Sequence, residues 1–147
     1  MADLHDLAKR LNKYADKLEA APSKVAAEVS ILLVRELVER TPVDTSKALS
    51  NWLLSLEDPV LVDLDAYYPG VFGSTQTASA NEAIAFAKLQ AAKKKPGQPI
   101  FVSNSAEYIR DLENGSSSQA PAGFTKQSVM VARKQIKAIF KRVMTNG

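Results

Sequence analysis

One histidine, sixteen carboxylates and a run of three serines are the side chains that could carry catalysis, and their spacing pairs none of them with a helper. General acid–base work by His5 needs an orienting group within hydrogen-bond reach. Its setting, MADLHDLAKRL, is charged and amphipathic, and His5 reads there as a surface residue of a helix. Ser116-Ser117-Ser118 lacks the glycine-framed elbow of an activated serine, so these serines read as loop. The six glycines never form a phosphate-cradling pattern followed by Lys-Ser or Lys-Thr. Cysteine is absent, which removes disulfides, thiolate chemistry and zinc–thiolate clusters. Two pairs of acids remain, Asp63 with Asp65 and Asp111 with Glu113. Residues two apart diverge on a helix and share a face on a strand. Asp63 and Asp65 could therefore meet a cation on a strand edge, or simply discourage edge pairing. The expectation is a protein that is not an enzyme, with no cofactor and no metal.

The elements that would position these residues follow from periodicity. Leu4, Leu7, Leu11, Tyr14 and Leu18 recur at helical spacing and predict an amphipathic helix over about 3–20, peripheral to the body of the protein. Pro22 interrupts it, and Ser23 can cap a second helix reaching Arg40, with Val25, Val29, Leu32, Leu33 and Leu37 as its apolar face. Thr41 is biased away from helix by Pro42, and Asp44 or Thr45 can turn the chain. From Asn51 the period changes. Trp52 to Leu56 and Val60 to Leu64 predict two short strands in an antiparallel hairpin, with Trp52 as a packing anchor. Residues 66–80 predict an exposed loop, long for a compact domain. Asn81 to Ala92 predicts a helix with Ile84, Ala85, Leu89 and Ala92 on one side, stopped by Lys93-Lys94-Lys95-Pro96-Gly97.

The segment Pro99 to Phe124 reads as one unit of strand, short helix, glycine stop and proline-closed loop. Pro99 to Val102 supplies the strand, Ser103-Asn104-Ser105 the capping oxygens, and Tyr108, Ile109 and Leu112 one side of the helix. Tyr108 and Leu112 should anchor that helix, Gly115 should permit the reversal, and Gln119 with Pro121 should shape the loop. A last helix over about 125–144 buries Val129, Ala132, Ile136, Ile139, Phe140 and Val143 and turns Lys126, Arg133, Lys137 and Lys141 elsewhere. A single α+β domain over 1–147 is expected, a small antiparallel or mixed sheet packed by several helices that include a long basic C-terminal one. No apolar run approaches the length of a membrane span, and no membrane partner is expected.

The net charge of +3 conceals a gradient. Residues 1–92 carry nine Lys/Arg against thirteen Asp/Glu, and residues 93–147 carry ten against three. The C-terminal third meets its surroundings as a cation. Its basic face admits three readings: a solvated surface, a dock for an acidic protein, or a nucleic-acid contact.

Thr41-Pro42-Val43-Asp44-Thr45 and Asn51-Trp52, followed about sixty residues later by Asn104, Tyr108, Leu112, Glu113, Gly115 and Ser118-Gln119-Ala120-Pro121-x-Gly123, form a combined pattern. It resembles the tail-completion or neck proteins of tailed double-stranded DNA phages, over roughly Val25 to Val143. Ser46 stands where that family's turn has glycine, which puts the geometry of the turn in question, and Glu107 stands where proline often precedes the tyrosine. The resemblance implies a structural virion protein of the neck, assembled in the bacterial host cytoplasm. It implies a homo-oligomer, a hexameric ring between a head-completion or connector protein and the tail terminator or tail tube, with DNA in the lumen held without sequence specificity. Tail terminator and head-side connector or stopper are alternatives of the same kind. A DNA-binding protein using the basic helix is an alternative of another class, and a small hydrolase ranks last.

Overall fold

The computed structural model describes residues 4–119 and 122–146. In chain order these form α1 (Leu4–Arg40), α2 (Lys47–Ser50), β1 (Leu53–Ser55), α3 (Gln76–Ala91), β2 (Phe101–Ser103), α4 (Ile109–Glu113), α5 (Phe124–Lys134) and α6 (Ile136–Asn146). The architecture is α+β: helices dominate, and the two strands form one small antiparallel sheet.

The first two predicted helices are one. α1 runs 37 residues straight through Pro22, which sits exposed on its surface. Proline costs a helix interior one hydrogen bond and a steric clash. Here the flanking Ala21 and Val25 are buried against Ile139 and Val143 of α6, so packing holds the turn that local propensity would break. The N-terminal stripe has no such cover, and Leu4 is 85% exposed.

The core joins Val34, Leu37 and Val38 of α1 to Leu49, Trp52, Leu54, Phe124 and three alanines of α3. That helix departs from the sequence reading in both its start and its face. It begins at Gln76, so the expected 66–80 loop ends earlier, and it buries Ser79, Ala83, Ala87 and Ala91 while Leu89 is 64% exposed. Small residues every fourth position let α3 approach α1 closely, which larger side chains would prevent.

The predicted hairpin is also replaced. β1 pairs with β2, Leu53 opposite Ser103 and Ser55 opposite Phe101, and residues 60–64 form no strand. Side chains tie that segment down instead of a ladder. Asn51, fully buried, donates through Nδ2 to the Leu64 carbonyl and accepts the Leu64 N–H through Oδ1, both at 2.8 Å. Ser103 and Ser105 donate to the carbonyl of Val60.

The basic C-terminal arm packs along α1 as α5 and α6, parted only at Gln135. Gln135 donates to the Ala132 carbonyl at 3.1 Å, a three-residue step that tightens the turn between the two halves. Among the described residues no helix is long and apolar enough to cross a membrane.

Candidate functional site

The two halves of the sequence pattern meet where Gln119 of the second reaches Val43 of the first, 76 positions away. Gln119 Oε1 accepts the Val43 N–H at 2.8 Å and Gln119 Nε2 donates to the Val43 carbonyl at 3.1 Å. The amide thus pairs with Val43 as a neighbouring strand would, and fastens the 115–119 loop to the turn after α1.

Each side of that junction is built by local chemistry. On the first side, Thr41 donates its hydroxyl proton to the Leu37 carbonyl at 2.6 Å and accepts the indole N–H of Trp52 at 2.8 Å, closing α1 over the buried ring. Ser46 takes φ 66°, the left-handed conformation glycine enters without steric cost. Its buried hydroxyl lies 2.9 Å from that of Thr75, a bond glycine could not make. On the other side, α4 ends in a paired motif: Ser116 donates to the Asp111 carbonyl and Gly115 to that of Leu112, with Gly115 at φ 90°. Glu113 then reaches forward, its carboxylate accepting the Thr125 N–H at 3.0 Å within the first turn of α5.

Asn104 adds a third tie, donating to the Ala48 carbonyl at 2.8 Å while its own oxygen accepts the Ala106 N–H at 2.9 Å. Leu112 and Ile109 pack on the core, whereas Tyr108, expected to anchor the helix with Leu112, is 37% exposed and lies outside that cluster. Tyr108 and Leu112 line a small cleft of about 310 Å³ with Pro42, Val43, Ser117 and Gln119. Ser118 is exposed, and Pro121 lies outside the described residues.

Asp44, read from sequence as a turn former, holds an unusual feature. Its carboxylate accepts the Phe72 N–H at 2.6 Å and its carbonyl the Gly73 N–H at 2.8 Å. Phe72 is thereby fixed at φ 56° and stands 93% exposed. A bulky residue at positive φ is a backbone outlier, and nothing in the sequence around Tyr67-Tyr68-Pro69-Gly70 announces it beyond the turn itself.

The basic candidates point outward. Arg133, Lys137 and Lys141 are all exposed. Arg133 and Lys137 border an open apolar groove of about 1070 Å³ between α1, the 94–100 turn and α5–α6; Lys141 does not. Val129, Ile136 and Phe140, expected inside, are exposed in this chain, with Ile136 and Phe140 on the groove.

Two groups titrate away from their usual values. A hydrogen bond to the Asp63 carboxylate, 2.9 Å away, raises the Lys47 ammonium despite a smaller opposing desolvation. Burial raises the Tyr67 phenol, assisted by the charge of Glu82. Neither belongs to a catalytic arrangement. Among the described residues no group of three or more His, Cys, Asp or Glu could hold a metal ion, and His5 is exposed on α1.

No family model matches the chain, and neither a curated protein nor a solved structure matches it.

Proposed function

We propose that this chain is a structural subunit of the neck of a tailed double-stranded DNA phage, a tail-completion protein that forms a ring joining the tail to the head connector around the DNA channel. The observation that carries the reading is the Gln119–Val43 pairing, which unites the two motif segments behind the resemblance in one surface unit. Loops fixed to a rigid base suit a protein whose work is contact with neighbours. The exposed Phe72 turn and the cationic C-terminal arm are surfaces of the kind a subunit meeting several partners needs. Subunits that meet head to tail close into a cyclic ring when the rotation between them allows it.

Electron microscopy of virions of the encoding phage tests this. The expected result is density for this fold in a ring between portal and tail tube, and its absence from purified particles overturns the proposal. A position at the tail terminator or head-side stopper would keep the structural role and move the ring. The basic arm also gives a second reading, binding to DNA phosphates. Titration of duplex DNA at increasing salt separates the two, because phosphate contacts make affinity fall steeply with salt.

A further inference from the structure

Asn114-Gly115 joins a chemically labile carboxamide to a successor with no side chain to shield its backbone nitrogen. Both residues are exposed. The Asn114 carboxamide makes no hydrogen bond among the described residues, so no partner holds it away from a nucleophile.

What the fold restrains is the nucleophile, the backbone nitrogen of Gly115. Its N–H donates to the Leu112 carbonyl at 3.1 Å. Asn114, at ψ 0°, turns that nitrogen toward its own amide and away from its own side chain. Reacting atoms must come within about 3–3.5 Å in aligned geometry. Here they meet only after ψ rotates, which breaks the Gly115–Leu112 bond and the Ser116–Asp111 bond beside it. α4 has five residues, none of them fully buried, so its last turn can open while the core stays closed. The loop beyond that turn is fastened by Gln119 to Val43, and Gly123 donates to the Glu113 carbonyl at 2.8 Å.

We propose that Asn114 is a site of spontaneous backbone isomerisation, gated by the α4 stop and the Gln119 tie, and that its conversion releases the 115–119 loop irreversibly. In the opened turn the Gly115 nitrogen gives up its proton and bonds to Asn114 Cγ. The Cγ–Nδ2 bond breaks, and ammonia leaves with that proton. Water then opens the five-membered imide. Cleavage between nitrogen and the side-chain carbonyl leaves an aspartate in a normal main chain, whereas cleavage between nitrogen and the main-chain carbonyl leaves an isoaspartate, with the chain running through Cγ and longer by a methylene. Either product puts a carboxylate at the negative end of α4, close in sequence to Asp111 and Glu113. The longer chain also cannot repeat the paired bonds of the stop, and Gln119 loses the alignment that brings it to Val43.

Timed incubation of the full chain at mildly alkaline pH tests this, with trypsin releasing the peptide 111–126 and electron-transfer fragmentation distinguishing asparagine, aspartate and isoaspartate at position 114. The native protein is expected to convert about tenfold or more slowly than the same chain unfolded in urea. Gln119→Ala should speed conversion about fivefold, the ratio that loss of this tie gives to an opening equilibrium. Asn114→Gln should abolish it, because the ring would be larger and slower to close. The isoaspartate form, isolated by chromatography, should lose hydrogen-exchange protection at the amides of Val43, Gly115 and Ser116. Native and unfolded chains converting at one rate, a Gln119→Ala rate equal to the native one, or an isoaspartate form that keeps those amides protected overturns the proposal. If Gln119→Ala does not fold by circular dichroism, the native-to-urea ratio and the amide protection still decide.

Discussion

Gln119 shows how much can hang on one amide whose importance its residue type does not reveal. Removing it in Gln119→Ala leaves both backbone groups of Val43 to solvent, and a loss of about 1 kcal/mol is expected, in line with two partly exposed hydrogen bonds. The readout is a lower urea midpoint at unchanged slope. Gln119→Glu should not restore it, because a carboxylate accepts from the Val43 N–H and repels the carbonyl. Lys47 and Tyr67 each add to the loss of stability at alkaline pH. Both have raised folded-state pKa values, so their stabilisation is complete below the unfolded values near about 10 and disappears as pH rises through the folded ones. Thermal midpoints should fall above about pH 10, and Lys47→Met or Tyr67→Phe should each flatten part of that fall. At this scale Gly115 was legible, because a helix that ends at Asn-Gly needs a positive φ. Asp44 was legible only as a turn former. Its grip on Phe72, 28 positions along the chain, depends on a fold that no local rule contains.

Elements were legible where their period agreed with their packing, and misread where tertiary contacts overrode it. Pro22 is the clear case: an isolated chain would break there, and the contacts of Ala21 and Val25 with α6 keep α1 whole. Pro22→Ala should therefore stabilise the protein, by up to about 3 kcal/mol if the clash is unrelieved, seen as a raised thermal midpoint. A drop in the midpoint would mean that the proline relieves more strain than it creates. The hairpin failed for the opposite reason. Residues 60–64 have the alternation of a strand, yet β1 takes β2 as its partner and Asn51 satisfies the backbone of Leu64 directly. On α3 the larger residues read as the inner face, but the close approach to α1 selected the alanines. The α+β class survived these errors because it depends on the presence of helices and a small sheet, not on which strands pair.

At the scale of the molecule, α1 is the common partner: its middle and end enter the core with Phe124, and its Ala21–Val25 turn meets α6. Deleting residues 136–147 should uncover Ala21, Val25, Val29 and Leu32 while α3 keeps its alanine seam. Hydrogen exchange is the measurement: protection should collapse over about 18–32 and persist over 83–91. Equal loss in both regions would show one indivisible cooperative unit. The pairing of the first helix with the last also has a temporal consequence. During synthesis Val34, Leu37 and Val38 leave the ribosome before Leu49, Trp52 and the α3 alanines and long before Phe124, so the cover of their apolar face is completed only late in the chain. Translation speed and the supply of chaperones then act beside the equilibrium stability of the finished protein on how much of it reaches its native state.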